Sequence, residues 1–259
     1  MMLHRNQETN STSCEWIISR KELSQQDEKG LFSFVDYRGE LFHYQLTGNS
    51  ASIRTIFPDI LHYLNHFWLL LPDSVQEQQI FWSQFYSLYS TNYLDLIDSD
   101  HNLACMRYFK TLLAENAPLP PDFKLLDYGC GPGLSVQVFE KQHLVGYDNN
   151  PTMLAEAAKQ GLEVIYKEDF DNIQSCSFDG GFACYVLHMA IPETDIINLA
   201  RAVKINGVLV ANYYKDLGME RVTSLLEKLG FEGQKVDVQE RRFGSVYIYR
   251  KHPLFYSSQ

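Results

Sequence analysis

A doubly wound α/β fold, with a parallel sheet covered by helices on both faces, is predicted for most of this chain. Three observations predict it. From residue 122 onward, short apolar runs alternate with amphipathic stretches, the pattern of strand–helix–strand units. Within that region, Lys124 to Asp148 reads as a buried strand, a glycine-rich turn, a helix and a second strand ending in an acid. Punctuation falls where such units need it: Asn150-Pro151 opens a helix as cap and first-turn proline, and Gly161 and Gly230 close helices.

The elements follow in order. Residues 1–29 are polar and read as a flexible tail, with a short element around Trp16-Ile17-Ile18. Leu31 to Leu46 carries two aromatic-rich runs around Arg38-Gly39-Glu40, a β-hairpin. Ile53 to Leu71 reads as helical with a break near Pro58. Ser74 and Glu77 form a capping box for a helix carrying Ile80, Phe81, Phe85, Leu88 and Tyr89. A further helix is expected over 102–115, with Leu103, Met106, Phe109, Leu112 and Leu113 on one side. Ala117 to Pro121 is a stiff linker. The expected organisation is therefore a tail (1–29), a hairpin and helical lid or extension (30–116), and an α/β domain (117–259).

In that domain, strands are expected at 124–128, 143–148, 163–166, 181–187 and 208–212, with helices at 133–141, from Pro151 to Gly161, across Ile196–Val203, and at 220–229. Two last strands, 235–238 and 245–249, joined by a turn near Gly244, add an antiparallel hairpin at one edge. That makes seven strands.

Composition bounds the function. Of 259 residues, 45% are apolar, enough for a sizeable core. The 16 Tyr and 16 Phe suit either core packing or an aromatic-lined small-molecule pocket. Net charge is −10, with no Lys/Arg block, which argues against nucleic acid as the main partner. The five cysteines are odd in number, irregularly spaced and without CxxC, so neither a disulfide framework nor a metal site is expected. The N-terminus lacks the apolar core of a signal peptide, and the densest apolar run, Phe67 to Leu71, is too short to span a bilayer. A cytoplasmic protein without a membrane partner is expected.

Gly129, Gly131 and Gly133 let the backbone turn sharply and a ligand approach closely. Asp148, 21 residues after Asp127, stands where a carboxylate accepts both hydroxyls of a ribose. The spacing G-x-G-x-G differs from the dinucleotide pattern G-x-G-x-x-G, whose sixth position is Leu134 here. Asp127 precedes the first glycine by two residues and would repel a pyrophosphate. A ligand with a cationic amino end fits better, with an NAD-type domain as the alternative.

Asp127-Tyr-Gly-Cys-Gly-Pro-Gly133, Asp148 and Glu168-Asp169-Phe170 together resemble a class I S-adenosylmethionine-dependent methyltransferase of the small-molecule type, over about residues 100–250. The resemblance implies a Rossmann-like sheet, S-adenosyl-L-methionine as cofactor and S-adenosyl-L-homocysteine as product. It implies that Asp127, Gly129, Cys130 and Gly131 line the methionine part, and that Asp148 holds the ribose with Asn149 beside it. Asp169 would accept from the adenine amino group, Phe170 would donate its backbone N–H to the ring, and Tyr185 would lie near the sulfonium. Tyr86, Tyr89 and Tyr93 fall at i, i+3 and i+7 and would reach the donor or cover the acceptor. Arg107 is a candidate partner of the donor carboxylate.

His188, after the fourth strand, is the best-placed general base; Tyr213 and Tyr214 close the fifth and would orient a substrate. There is no Asn-Pro-Pro-Tyr and no Pro-Cys after the fourth strand, which disfavours amine or cytosine methylation on DNA. The expected activity is methyl transfer to an oxygen or nitrogen of a small molecule. Two alternatives stand beside it: a non-catalytic regulatory subunit of the same fold, and a protein or RNA methyltransferase that uses the extension for recognition. A homodimer through that extension is a further expectation.

Overall fold

A computed structural model describes residues 15–23, 30–48, 50–117 and 119–253 of the protein. Most of the expected tail (1–14 and 24–29) lies outside the described residues, as does Pro118 of the expected linker. The chain divides into two units, at Pro72 and Asp73.

The smaller unit is a five-stranded sheet with one short helix. Its elements are β1 (Trp16–Ser19), β2 (Phe32–Arg38), β3 (Leu41–Leu46), α1 (Ser50–Ile56), β4 (Leu61–Tyr63) and β5 (Phe67–Leu70), in the order β2-β3-β1-β5-β4. The 31–46 hairpin forms as expected. The segment around Trp16 is more than a short element in a tail. It is the central strand, with Ile17 and Ile18 fully buried, and it joins β3 antiparallel and β5 parallel. The reading of 53–71 as helical holds only to Ile56. Beyond it Leu64 and Asn65 adopt positive φ (49° and 58°), which turns the chain between β4 and β5. The aromatic content of these two strands, Tyr63, Phe67 and Trp68, suits a pleated surface.

The larger unit begins with three helices: α2 (Val75–Tyr89), α3 (Tyr93–Leu96) and α4 (Ser99–Asn116). Ser74 caps α2, its Oγ accepting from Glu77 N at 3.2 Å and donating to Glu77 Oε2 at 3.1 Å. The division therefore falls before these helices rather than near residue 117. The reason is packing: α4 buries Cys105, Met106, Phe109, Leu112 and Leu113 in the same core as Leu125, Phe182, Val208 and Val210.

There follow β6 (Leu125–Tyr128), β7 (Leu144–Tyr147), α5 (Pro151–Lys159), β8 (Glu163–Ile165), α6 (Lys167–Asp171), β9 (Phe178–Ala183), α7 (Glu193–Ala202), β10 (Val203–Tyr213), α8 (Met219–Lys228), β11 (Phe231–Val236) and β12 (Ser245–Lys251). Seven strands lie in the order β11-β12-β10-β9-β6-β7-β8, all parallel but for β12, which runs antiparallel to both neighbours. Asn150 caps α5 through Thr152 N and Met153 N. A helix was expected at 133–141. The chain instead makes two single 3-10 turns, Leu134–Gln137 and Lys141–His143, with Phe139 between them turned inward to stack on Phe182, ring centroids 4.7 Å apart.

One core layer lies on each face of this sheet. The first is built around Leu126, Tyr128, Tyr147, Phe170, Leu199 and Tyr213, the second around Phe109, Leu125, Phe139, Phe182 and Ile248. The carboxyl ends of β6, β7 and β9 thus come together, and ligands of open α/β sheets bind outside such ends. Among the described residues no helix is long and apolar enough to cross a membrane, and no group of three or more His, Cys, Asp or Glu side chains is placed to hold a metal ion.

Candidate active site

A cavity of about 510 Å³ opens at those strand ends. Its floor is the turn after β6, where Gly129, Gly131 and Gly133 all have positive φ. A Cβ on Gly129 would sit 2.3 Å from Val186 Cγ2, and one on Gly133 2.9 Å from Ala157 Cα. These two glycines allow close packing. Gly131 differs: a Cβ there would meet only Tyr93 Cε1, at 3.9 Å. Its missing side chain leaves room for a ligand.

Asp148 follows β7 and lines the cavity. Oδ2 accepts from Gly131 N at 3.0 Å and Oδ1 from Asn150 N at 2.9 Å. Burial nevertheless pushes its carboxyl up to about 6, against the pull of those two N–H groups. Each oxygen keeps lone-pair capacity for a further donor. Asp127, 1% exposed, lies behind the glycine turn. Burial raises its carboxyl to about 7; Ser135 opposes this and the nearby Asp148 adds to it. Asp127 Oδ2 has no hydrogen-bond partner, and an unsatisfied buried oxygen is costly.

Of the expected cofactor residues, Gly129, Gly131, Asp148, Asn149 and Tyr185 line the cavity. Tyr185 lies past the end of β9, not on it, at φ 57°. A non-glycine residue there is strained by about 1–2 kcal/mol. Three bonds hold it: its N–H donates to Asn212 Oδ1 at 2.7 Å, and its hydroxyl lies 2.7 Å from His101 Nε2 and donates to Arg242 O at 3.1 Å. Asn212 is fully buried, and its Nδ2 is tied to Phe243 O. Asn212 is thus the residue that positions Tyr185.

Other expected residues stand elsewhere. Cys130 is buried against the second core layer. Asp169 is exposed on α6 and away from the cavity lining. Phe170 is fully buried, stacked on Tyr147 with centroids 3.8 Å apart, and its N–H already donates to Tyr166 O. Arg107 is exposed on α4. Tyr89 packs on Phe85. From the tyrosine stripe, Tyr86 and Tyr93 line the cavity, with centroids 5.8 Å apart. A 3-10 turn at Ser90–Asn92 interrupts the helix between Tyr89 and Tyr93, so the simple helical spacing does not hold.

His188 is 4% exposed, not among the lining residues, and burial lowers its imidazole to about 3. It is a neutral ring set against Trp82 and Tyr214. Tyr213 is fully buried, with its hydroxyl 2.8 Å from that of Tyr249, which in turn meets Thr223 Oγ1 at 2.7 Å. Tyr214 borders a separate surface groove with Lys215 and Arg242. The structure therefore does not bring these three to the cavity. Trp82 and Met189, and the acid Asp195, do line it; sequence reasoning missed them, because each sits in an ordinary amphipathic or loop context.

The strand order is that of an open, Rossmann-like α/β sheet with one antiparallel strand. Residues 126–211, about a third of the chain, match the family model described as a methyltransferase domain. Several solved structures are similar. A chain of the complex between the Haloferax volcanii Trm112 methyltransferase activator and the putative methyltransferase is 16% identical over 65% of this chain and 97% of its own, with a TM-score of 0.49. A TehB-like S-adenosylmethionine-dependent methyltransferase from Corynebacterium glutamicum is 19% identical over 64% of this chain and 100% of its own, with a TM-score of 0.49. A possible histamine N-methyltransferase from Thermotoga maritima is 18% identical over 65% of this chain and 98% of its own, with a TM-score of 0.46. No curated protein matches.

Proposed function

We propose that this protein transfers a methyl group from S-adenosylmethionine to an oxygen or nitrogen of a small-molecule acceptor. The observation that carries the reading is Asp148, held at the end of β7 by Gly131 N and Asn150 N on the floor of the cavity. The Gly131 gap and the unpartnered Asp127 Oδ2 fit the same donor. When bound, S-adenosylmethionine supplies an electrophilic methyl group carried on a sulfonium.

The chain's own residues have mainly to bind, align and exclude water. Asp148 would accept the ribose hydroxyls, and Asp127 would face the amino end of the methionine part. Tyr86, Tyr93 and Trp82 would cover the cavity, and Tyr185 would be held rigidly at its rim. A nucleophile that arrives unprotonated needs no base from the protein. The neutral, buried His188 supports a packing role more than proton abstraction.

Asp148→Ala removes charge-assisted hydrogen bonds of about 1.5–3 kcal/mol. Donor affinity measured by calorimetry should fall roughly 10- to 100-fold. Activity itself is tested by incubating the protein with methyl-labelled donor and fractionated metabolite extracts. Label should enter a low-molecular-weight acceptor; label entering protein alone would point to a protein methyltransferase instead.

A further inference from the structure

The acid expected to read the purine, Asp169, does not line the cavity, and the N–H of Phe170 is already used. Among the described lining residues there are two carboxylates, Asp148 and Asp195. Asp195 lies in the first turn of α7 and is 2% exposed. Its Oδ1 accepts from Lys167 Nζ at 3.1 Å. Its Oδ2 accepts from the hydroxyls of Tyr128 and Tyr147, both at 3.4 Å. Those two bonds are long for hydroxyl donors, whose usual distance is about 2.7–2.8 Å, so Oδ2 is poorly satisfied for a buried carboxylate oxygen.

Tyr147 immediately precedes Asp148, and its hydroxyl reaches Asp195. The two acids are thus tied to the same strand end and border one cavity. A base attached to a ribose at Asp148 would share this cavity with the wall that Tyr147 and Asp195 form. Resting on the donor reading above, we propose that Asp195, rather than Asp169, accepts a hydrogen bond from the exocyclic amine of the donor's adenine. It therefore sets the preference for a 6-amino over a 6-oxo purine. Lys167 balances the charge, and Tyr128 and Tyr147 orient the carboxylate.

The test is calorimetric titration of the full chain with S-adenosylhomocysteine and with its inosine counterpart, in which a carbonyl replaces the amine. The wild type should bind the adenine form about tenfold or more tightly, the worth of one hydrogen bond to a charged acceptor. In Asp195→Asn the amide offers both an acceptor and a donor, so the ratio should collapse toward one or invert. Asp169→Asn should leave it unchanged. An unaltered ratio in Asp195→Asn overturns the assignment. If that variant fails to fold, the wild-type ratio still decides, because equal affinity for the two forms overturns it. Failure of the wild type to bind either nucleoside would instead defeat the donor reading itself.

Discussion

Gly131→Leu should abolish saturable binding of S-adenosylmethionine while leaving the protein folded. The argument rests on where the new side chain would go. At Gly131 the Cβ direction meets only Tyr93, at 3.9 Å, and otherwise points into the cavity. A leucine there fills the space that the donor needs. Its cost to the fold is confined to the positive φ of 53°, about 1–2 kcal/mol, which lowers the melting temperature by roughly 2–8 °C. Gly129→Ala makes the contrast. Its Cβ would lie 2.3 Å from Val186 Cγ2, so stability and binding should fall together. Near-normal donor affinity in Gly131→Leu would place the donor somewhere other than over this turn.

Donor affinity should also rise with pH, by roughly 100-fold between pH 5.5 and 8, following the ionisation of Asp127 and, at the lower end, of Asp148. Burial raises Asp127 to about 7 and Asp148 to about 6 in the free protein, and both must be ionised to meet a cationic amine and ribose hydroxyls. The stability of the free protein should move the other way. A carboxyl raised on folding binds more protons folded than unfolded, here between about pH 4 and 7. The contribution is therefore complete below pH 4 and is lost as pH rises to the folded values. Opposite pH trends for melting and for binding are the expected signature. Asp127→Asn, which cannot ionise, should flatten the upper part of both profiles. Donor affinity that is flat from pH 5.5 to 8 would mean that Asp127 does not face the donor's charge.

How much of this was legible in the sequence depends on how local each signal is. The Asp127–Gly133 turn, Asp148, and the caps at Ser74 and Asn150 were readable because each acts within a few residues of itself. The β4–β5 hairpin was not, because short apolar runs such as Phe67 to Leu70 carry no period that separates strand from helix. The missing helix after Gly133 reflects tertiary packing, since Phe139 turns inward onto Phe182. Tyr213 and His188 read as catalytic from their positions after strands. Which way their side chains turn, toward Tyr249 and Trp82, is decided by tertiary packing. Asp195 was invisible for the same reason: a single acid near the start of an amphipathic helix looks like a solvated cap until Tyr128, Tyr147 and Lys167 are seen around it.

The central claim is that this cavity holds S-adenosylmethionine, and calorimetric titration of the full chain with that molecule tests it most directly. The account predicts saturable binding of one molecule per chain, displaced by S-adenosylhomocysteine, indifferent to NAD, and lost in Gly131→Leu. Saturable binding of NAD with no response to S-adenosylmethionine would contradict it.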